Sequence, residues 1–146
     1  MDRILDDIGV EREQPKEKPK QVVWVIDDDI HIAEGLEMYL GMEGFDVKIF
    51  TSGESALETL AREESPSVFI IDGNLGSSRM KGWDIVSGIG EKGKDSLIIT
   101  HSSTRGDNEL MAENAKKLGI KAKIFEKGSR EYDLSKLVDV IKSSGS

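Results

Sequence analysis

The sequence predicts an α/β fold, a doubly wound parallel sheet of five strands alternating with five helices. Three observations carry this. Apolar runs free of charge recur at Val22-Val23-Trp24-Val25-Ile26, Val68-Phe69-Ile70-Ile71 and Leu97-Ile98-Ile99, the pattern of strands buried on both faces. Between the runs, apolar residues return at helical spacing. Each run also ends in polar chemistry, at Asp27-Asp28-Asp29, Asp72 and Thr100, and the carboxyl edge of an open α/β sheet is where ligands bind.

Residues 1–20 precede this pattern. A first piece carries Ile4, Leu5, Ile8 and Val10; a second, 11–20, is rich in Glu, Lys and Gln and holds two prolines. Mixed charge without apolar content does not offset the entropy of ordering, so 1–20 reads as a flexible tail or linker and 21–146 as the domain. The first piece is either a docking peptide or a frayed terminus. After the opening strand, Ile32, Leu36, Tyr39 and Leu40 mark a helix that Gly41 or Gly44 can close in a left-handed cap. Residues 46–50 form the second strand. Thr51-Ser52-Gly53-Glu54 has capping-box spacing ahead of Ala56, Leu57 and Leu60, and this helix ends before Pro66. The third strand is 68–71. A loop over 74–81 with Gly76, Ser77 and Ser78 leads to a helix carrying Trp83, Ile85, Val86 and Ile89, weakened by Gly88 and Gly90. Residues 96–100 form the fourth strand. The helix over 107–118 should turn Leu110, Met111, Ala115 and Leu118 inward, with Gly119 as its cap. A short fifth strand, 122–125, stops before Lys127, and Leu134, Leu137, Val138 and Ile141 mark the last helix. Strand and helix in alternation imply parallel pairing with right-handed crossovers.

Composition excludes several classes of function. A chain of 146 residues is long enough to bury a substantial core. Its net charge of −8 and pI near 4.8 argue against direct binding of nucleic acid or anionic membrane and favour protein partners. The absence of cysteine rules out disulfides and thiolate-metal chemistry. No apolar run approaches the length of a membrane span or a signal-peptide core, so a cytoplasmic protein is expected.

If the strands are parallel, their carboxyl ends gather Asp27 and Asp28 from the first, Asp72 from the third, Thr100 from the fourth and Lys127 from the fifth. Adjacent carboxylates are costly to hold together unless a cation shares them, which suggests a hard ion such as Mg²⁺ bound through oxygen. Three carboxylates, a hydroxyl and an ammonium suit metal-assisted phosphoryl transfer, in which a carboxylate can itself be the nucleophile. Asp29 reads as a helix cap beside the pocket or as a further ligand. Trp24 reads as core; Trp83 and Tyr132 read as packing or partner-surface residues.

These pieces together resemble the receiver domains of two-component response regulators over about 21–142. The matching residues are Val25-Ile26-Asp27-Asp28-Asp29, Ser52-Gly53-Glu54-Ser55-Ala56-Leu57, Ile70-Ile71-Asp72-Gly73-Asn74, Ile98-Ile99-Thr100 and Lys127. The resemblance implies a flavodoxin-like fold in which Asp72 accepts a phosphoryl group from a phosphohistidine on a sensor histidine kinase or phosphotransfer protein. It implies Mg²⁺ as cofactor, ligated directly by Asp28 and through water by Asp27, with Asp72 and the main-chain carbonyl of Asn74 completing the set. Lys127 would pair with phosphoryl oxygens, and Thr100 would move toward them to switch a surface read by a downstream protein. Such a domain is a signalling switch that catalyses its own phosphorylation and dephosphorylation rather than a conventional enzyme. A homodimer through the last helix and the Tyr132 region belongs to the same expectation.

The chain departs from the family pattern at identifiable positions. Gly76 stands where Pro is usual, and Gly82 arrives two residues late, which lengthens the metal-side loop. His101 follows Thr100 in place of a small residue and is expected at the pocket rim, where a titratable ring would restrict phosphate entry and make phosphorylation pH-sensitive. Gly128 replaces the usual Pro after Lys127, and Ile124 stands where an aromatic commonly reports activation. Two alternatives follow. One is a pseudo-receiver that binds protein without phosphorylation. The other is a phosphatase resembling the haloacid dehalogenases, on the strength of Asp27-x-Asp29 with Thr100 and Lys127.

Overall fold

In a computed structural model, the residues described are 20–73, 75, 80–129 and 132–144. The tail expectation for residues 1–19 and the expectations for Asn74, Gly76, Ser77 and Ser78 fall outside them. β1 (Val22–Ile26) pairs in parallel with β2 (Asp46–Phe50) on one side and β3 (Val68–Ile71) on the other. β4 (Leu97–Thr100) and β5 (Lys121–Ile124) complete a five-stranded sheet of order β2-β1-β3-β4-β5. The order reverses between β1 and β3, so the ligand crevice of such a sheet lies above those two strands.

The helices α1 (Ile30–Met42), α2 (Gly53–Leu60), α3 (Gly82–Ile89), α4 (Arg105–Lys117) and α5 (Leu134–Ser144) alternate with the strands, and a short 3₁₀ turn (Gly90–Gly93) follows α3. This is the doubly wound, flavodoxin-like fold expected. Successive strand residues point to opposite faces, and the core divides accordingly. Trp24, Ile26, Phe69, Ile71 and Ile98 pack with residues of α2, α3 and α4 on one face. Val23, Val25, Val68, Ile70 and Ile99 pack with Leu36 and Leu40 of α1 and with Leu137 and Ile141 of α5 on the other. Trp24 is core, as expected, with its ring 4.7 Å from that of Phe50.

Edge strands read differently because one side meets solvent. β5 alternates Lys121 and Lys123 with Ala122 and Ile124, and lysines on an edge discourage pairing with another chain.

Several expectations shift. Ser52, not Thr51, caps α2, its hydroxyl accepting from the Ser55 amide at 3.1 Å. α4 begins at Arg105 rather than 107, and its buried stripe differs from the apolar pattern: Met111 and Ala115 face inward as expected and Asn108 joins them, whereas Leu110 and Leu118 are exposed. The sequence reading had placed both leucines in the core. Gly44, at φ +97°, follows the end of α1 in the left-handed conformation.

Candidate functional site

Ile26 of β1 lies opposite Ile71 of β3, so the residues that follow them, Asp27 and Asp72, leave the sheet side by side. The ladder continues one step beyond the strands. The Asp72 amide donates to the Ile26 carbonyl at 2.9 Å, and the Asp27 amide donates to the Phe50 carbonyl at 3.0 Å. Both acids therefore stand on fixed backbone.

One carboxylate oxygen from each of Asp27, Asp28 and Asp72 lies within 4.8 Å of the others. Asp27 is 1 % exposed and Asp72 7 %, while Asp28 faces solvent. Lys127 reaches in from the end of β5: its ammonium is 3.2 Å from Asp27 Oδ2 and 3.7 Å from Asp72 Oδ2. Three carboxylates against one ammonium leave a formal charge of −2. Hard oxygen donors, one of them open to water, fit a hard divalent cation that balances that charge.

Asp29 takes the capping alternative. Its side chain accepts from the His31 and Ile32 amides at 3.0 and 3.3 Å, and its own amide donates to Asp27 Oδ1 at 2.9 Å. Thr100 ends β4 opposite Ile71, the residue before Asp72. Its hydroxyl is buried and has no hydrogen-bond partner among the described residues. The structure thus brings Asp27, Asp28, Asp72 and Lys127 together and sets Thr100 on the neighbouring strand; Asn74 lies outside the described residues.

Although late in the sequence relative to the family pattern, Gly82 packs closely against the residues that end β3. Its amide donates to the Gly73 carbonyl at 3.0 Å, and a Cβ there would lie 2.7 Å from the Asp72 carbonyl oxygen and 2.4 Å from Met111 Sδ. Only glycine allows this approach.

His101 corrects the sequence reading. It is not at the rim: the ring is 1 % exposed. Burial, with a further push from the Lys127 charge, lowers its pKa to about 3, so the imidazole is neutral throughout the physiological range and cannot confer the expected pH-sensitivity there. Its Nε2 lies 2.8 Å from the Tyr132 hydroxyl, and its Nδ1 is buried with no partner among the described residues. Burial, and then the Asp27 charge, raise the Tyr132 pKa.

Sequence reasoning missed Ser102 and Asn108. Both are buried. The Asn108 amide group accepts from the Ser102 N–H at 3.0 Å and donates to the Ser102 carbonyl at 2.9 Å, and that carbonyl also accepts the Lys127 amide at 3.0 Å. The backbone of Ser102 thereby ties α4 to the loop that carries Lys127. The available signal was a polar residue three before Met111, on the same helix face, which a count of apolar residues alone passes over.

Comparison with known proteins agrees with this geometry. The family model for the response regulator receiver domain matches residues 23–139. A candidate transcriptional regulator of Haloferax volcanii is 29% identical over 101 residues; the match covers 68% of this chain but only 17% of that protein. Among solved structures, the receiver domain of NtrX from Brucella abortus superposes with a TM-score of 0.68 at 22% identity, covering 84% of this chain and 96% of that one. A two-component response regulator from Clostridium difficile gives 0.69 at 17% identity, covering 86% and 95%. Against a longer NtrX chain the match spans 27% of its length. Among the described residues no helix is long and apolar enough to cross a membrane. With a matching family model over most of its length and an acid-and-lysine cluster at the switch point of its sheet, the chain belongs to the response regulator receiver domain family.

Proposed function

We propose that this receiver domain is a phosphoryl-accepting switch, with Asp72 as the acceptor. The observation that carries the reading is the convergence of Asp27, Asp28 and Asp72 within 4.8 Å, with the Lys127 ammonium 3.7 Å from Asp72. An Asp72 oxygen attacks phosphorus as the P–N bond of a donor phosphohistidine breaks, and the imidazole departs with the bonding electron pair. Water later attacks phosphorus, the P–O bond to Asp72 breaks, and inorganic phosphate leaves. Mg²⁺ bound by Asp27, Asp28, Asp72 and the Asn74 carbonyl would neutralise charge on the phosphoryl oxygens. Asp27 divides its two oxygens between the Asp29 amide and Lys127, which orients the ammonium beside Asp72. Lys127 supports charge on the transferring oxygens, and Thr100 offers them a hydroxyl that has no hydrogen-bond partner among the described residues. Expected partners are a sensor histidine kinase or phosphotransfer protein upstream and a protein target downstream.

The phosphatase alternative needs Asp27 as nucleophile and Asp29 as its acid. Asp29 is instead occupied in capping α1, which disfavours it. The pseudo-receiver keeps one supporting observation, the buried imidazole of His101 beside Thr100. Intact-mass measurement after incubation with acetyl phosphate and Mg²⁺ decides between the readings. A phosphoryl adduct is expected on the full chain and not on Asp72→Asn. An unmodified wild-type chain would favour the pseudo-receiver, and an adduct that survives Asp72→Asn but not Asp27→Asn would favour the phosphatase.

A further inference from the structure

Among the described residues, the two large apolar side chains most open to solvent stand one turn apart on α1: Met38 is 69% exposed and Met42 80%. The opposite side of the same helix buries Ala33, Leu36 and Leu40. Gly35 and Gly41 flank the methionines on the outward face, and a Cβ at either would meet nothing within 4 Å. The face is therefore shallow and apolar, and methionine is a flexible, polarizable side chain suited to adaptable contacts. We propose that this face is covered by the chain's own N-terminal segment, with Ile4, Leu5 and Ile8 packed on Met38 and Met42. The inference does not depend on the phosphoryl-accepting reading.

The occupant is selected first by where the tail joins the domain. The Gln21 carbonyl accepts the Asp46 amide at 2.9 Å. Asp46 follows Met42 by four residues, so Met42 lies within about 14 Å of that junction. The turn between them is held by the Gly44 and Phe45 amides, which donate to the Gly41 and Leu40 carbonyls at 3.1 Å each. The linker 9–20 can reach about 40 Å when extended, whereas α1 is about 20 Å long, and Pro15 and Pro19 favour extension. Size agrees as well. On a helical turn Ile4, Leu5 and Ile8 fall within an arc of about 100°, with Asp6 and Asp7 outside it. Two methionines fall far short of the roughly 800 Å² per partner of a standard interface between free proteins. A tethered segment meets the same face at an effective concentration on the order of millimolar. Charge is complementary too: Glu34 and Glu37 are exposed and the last turn of α1 holds no basic residue, while the linker carries Arg12, Lys16, Lys18 and Lys20. Because α1 starts at the Asp29 cap beside the acid cluster, a protein that grips α1 along its length must first displace the segment.

The test uses the full chain. It contains no cysteine, so Asp6→Cys provides one attachment point for a nitroxide, on the side of the segment away from Ile4, Leu5 and Ile8. In the ¹⁵N spectrum the nitroxide should broaden the amides of Met38, Gly41 and Met42 more than those of Lys121 and Lys123 on the far edge of the sheet. Adding Ile4→Asp and Ile8→Asp keeps the tether and removes the apolar contact, so broadening at Met38, Gly41 and Met42 should fall by about threefold or more. Peroxide oxidation gives an independent readout: Met38 and Met42 should form sulfoxide faster in the Ile4→Asp, Ile8→Asp chain than in the wild type, while buried Met111 should differ in neither. Broadening and oxidation rates that these substitutions leave unchanged overturn the proposal. A mixture of nitroxide-labelled chain without ¹⁵N and ¹⁵N-labelled wild type reports contacts between copies. Broadening of α1 that appears in that mixture puts a second copy on the face and overturns the proposal as well.

Discussion

An imidazole in a dry environment resists protonation, and His101 has its pKa lowered to about 3 chiefly by burial, then by Lys127. The unfolded chain binds this proton near pH 6.5, so below that value the unfolded state gains protons that the folded state refuses, and stability falls with pH. Above pH 6.5 the ring is neutral in both states and contributes no slope. Between pH 7 and pH 5.5 His101 alone should cost about 1 kcal/mol of folding free energy. Urea unfolding of the wild type and of His101→Gln at both pH values measures it: the variant should lose less stability on acidification by about that amount. Equal losses would mean that the ring is not dry. The close contact at Gly82 makes a second prediction at this scale. In Gly82→Ala the new methyl meets the Asp72 carbonyl and Met111, so the end of β3 must shift. Stability should drop by about 1–3 kcal/mol, and acetyl phosphate labelling of Asp72 should slow, both readable on one preparation. Site acids are legible in a sequence because a run of β-branched residues that stops at a carboxylate fixes where that carboxylate emerges. His101 was not legible in this way: it lies one residue beyond a strand, where either rim or interior is open to it, and its burial depends on Tyr132, thirty-one residues on.

Among the elements, α4 decides how the Lys127 loop is held. Asn108 satisfies both the N–H and the C=O of Ser102, and the Lys127 amide shares that carbonyl. Removing the Asn108 side chain leaves the buried Ser102 N–H unpaired, at about 1–3 kcal/mol, and the Ser102 carbonyl with the Lys127 amide alone, and it opens a small cavity. Asn108→Ala should therefore destabilise the domain by about 2–4 kcal/mol in equilibrium unfolding. It should also loosen the Lys127 loop, seen as faster hydrogen exchange at the Lys127 amide relative to that of Val25 in β1. Asn108→Asp keeps the acceptor for the Ser102 N–H but loses the donor to its carbonyl, so exchange at Lys127 should rise in that variant as well. Strand and helix identities were largely readable because both faces of the inner strands are covered, leaving apolar runs with no internal charge. The buried stripe of α4 was legible only in part: Met111 and Ala115 are inward as read, but Asn108, three before Met111, lies on that stripe while Leu110 lies beside it. Counting only apolar residues placed Leu110 inward in place of Asn108 and hid the clamp.

The whole molecule sets three carboxylates and one ammonium at the switch point of the sheet in a chain that already carries a net charge of −8. Like charges brought together by the fold oppose it, and a divalent cation that binds only the folded arrangement reverses the effect by mass action. Mg²⁺ at about ten times its dissociation constant should stabilise the domain by about 1.4 kcal/mol, a rise in Tm of roughly 5 °C for a domain of this size. Since Asp28 is the solvent-facing member of the three, Asp28→Asn removes a donor and a repelling charge without opening the core. The variant should melt at or above the wild type when Mg²⁺ is absent and gain little when Mg²⁺ is added. Thermal melts across a Mg²⁺ series at constant ionic strength separate this from general screening of the acidic surface, which depends on ionic strength and not on Asp28. If Asp28→Asn and Asp72→Asn rise with Mg²⁺ as the wild type does, the stabilising ion binds elsewhere, and the cluster at the switch point is not the centre from which this receiver is controlled.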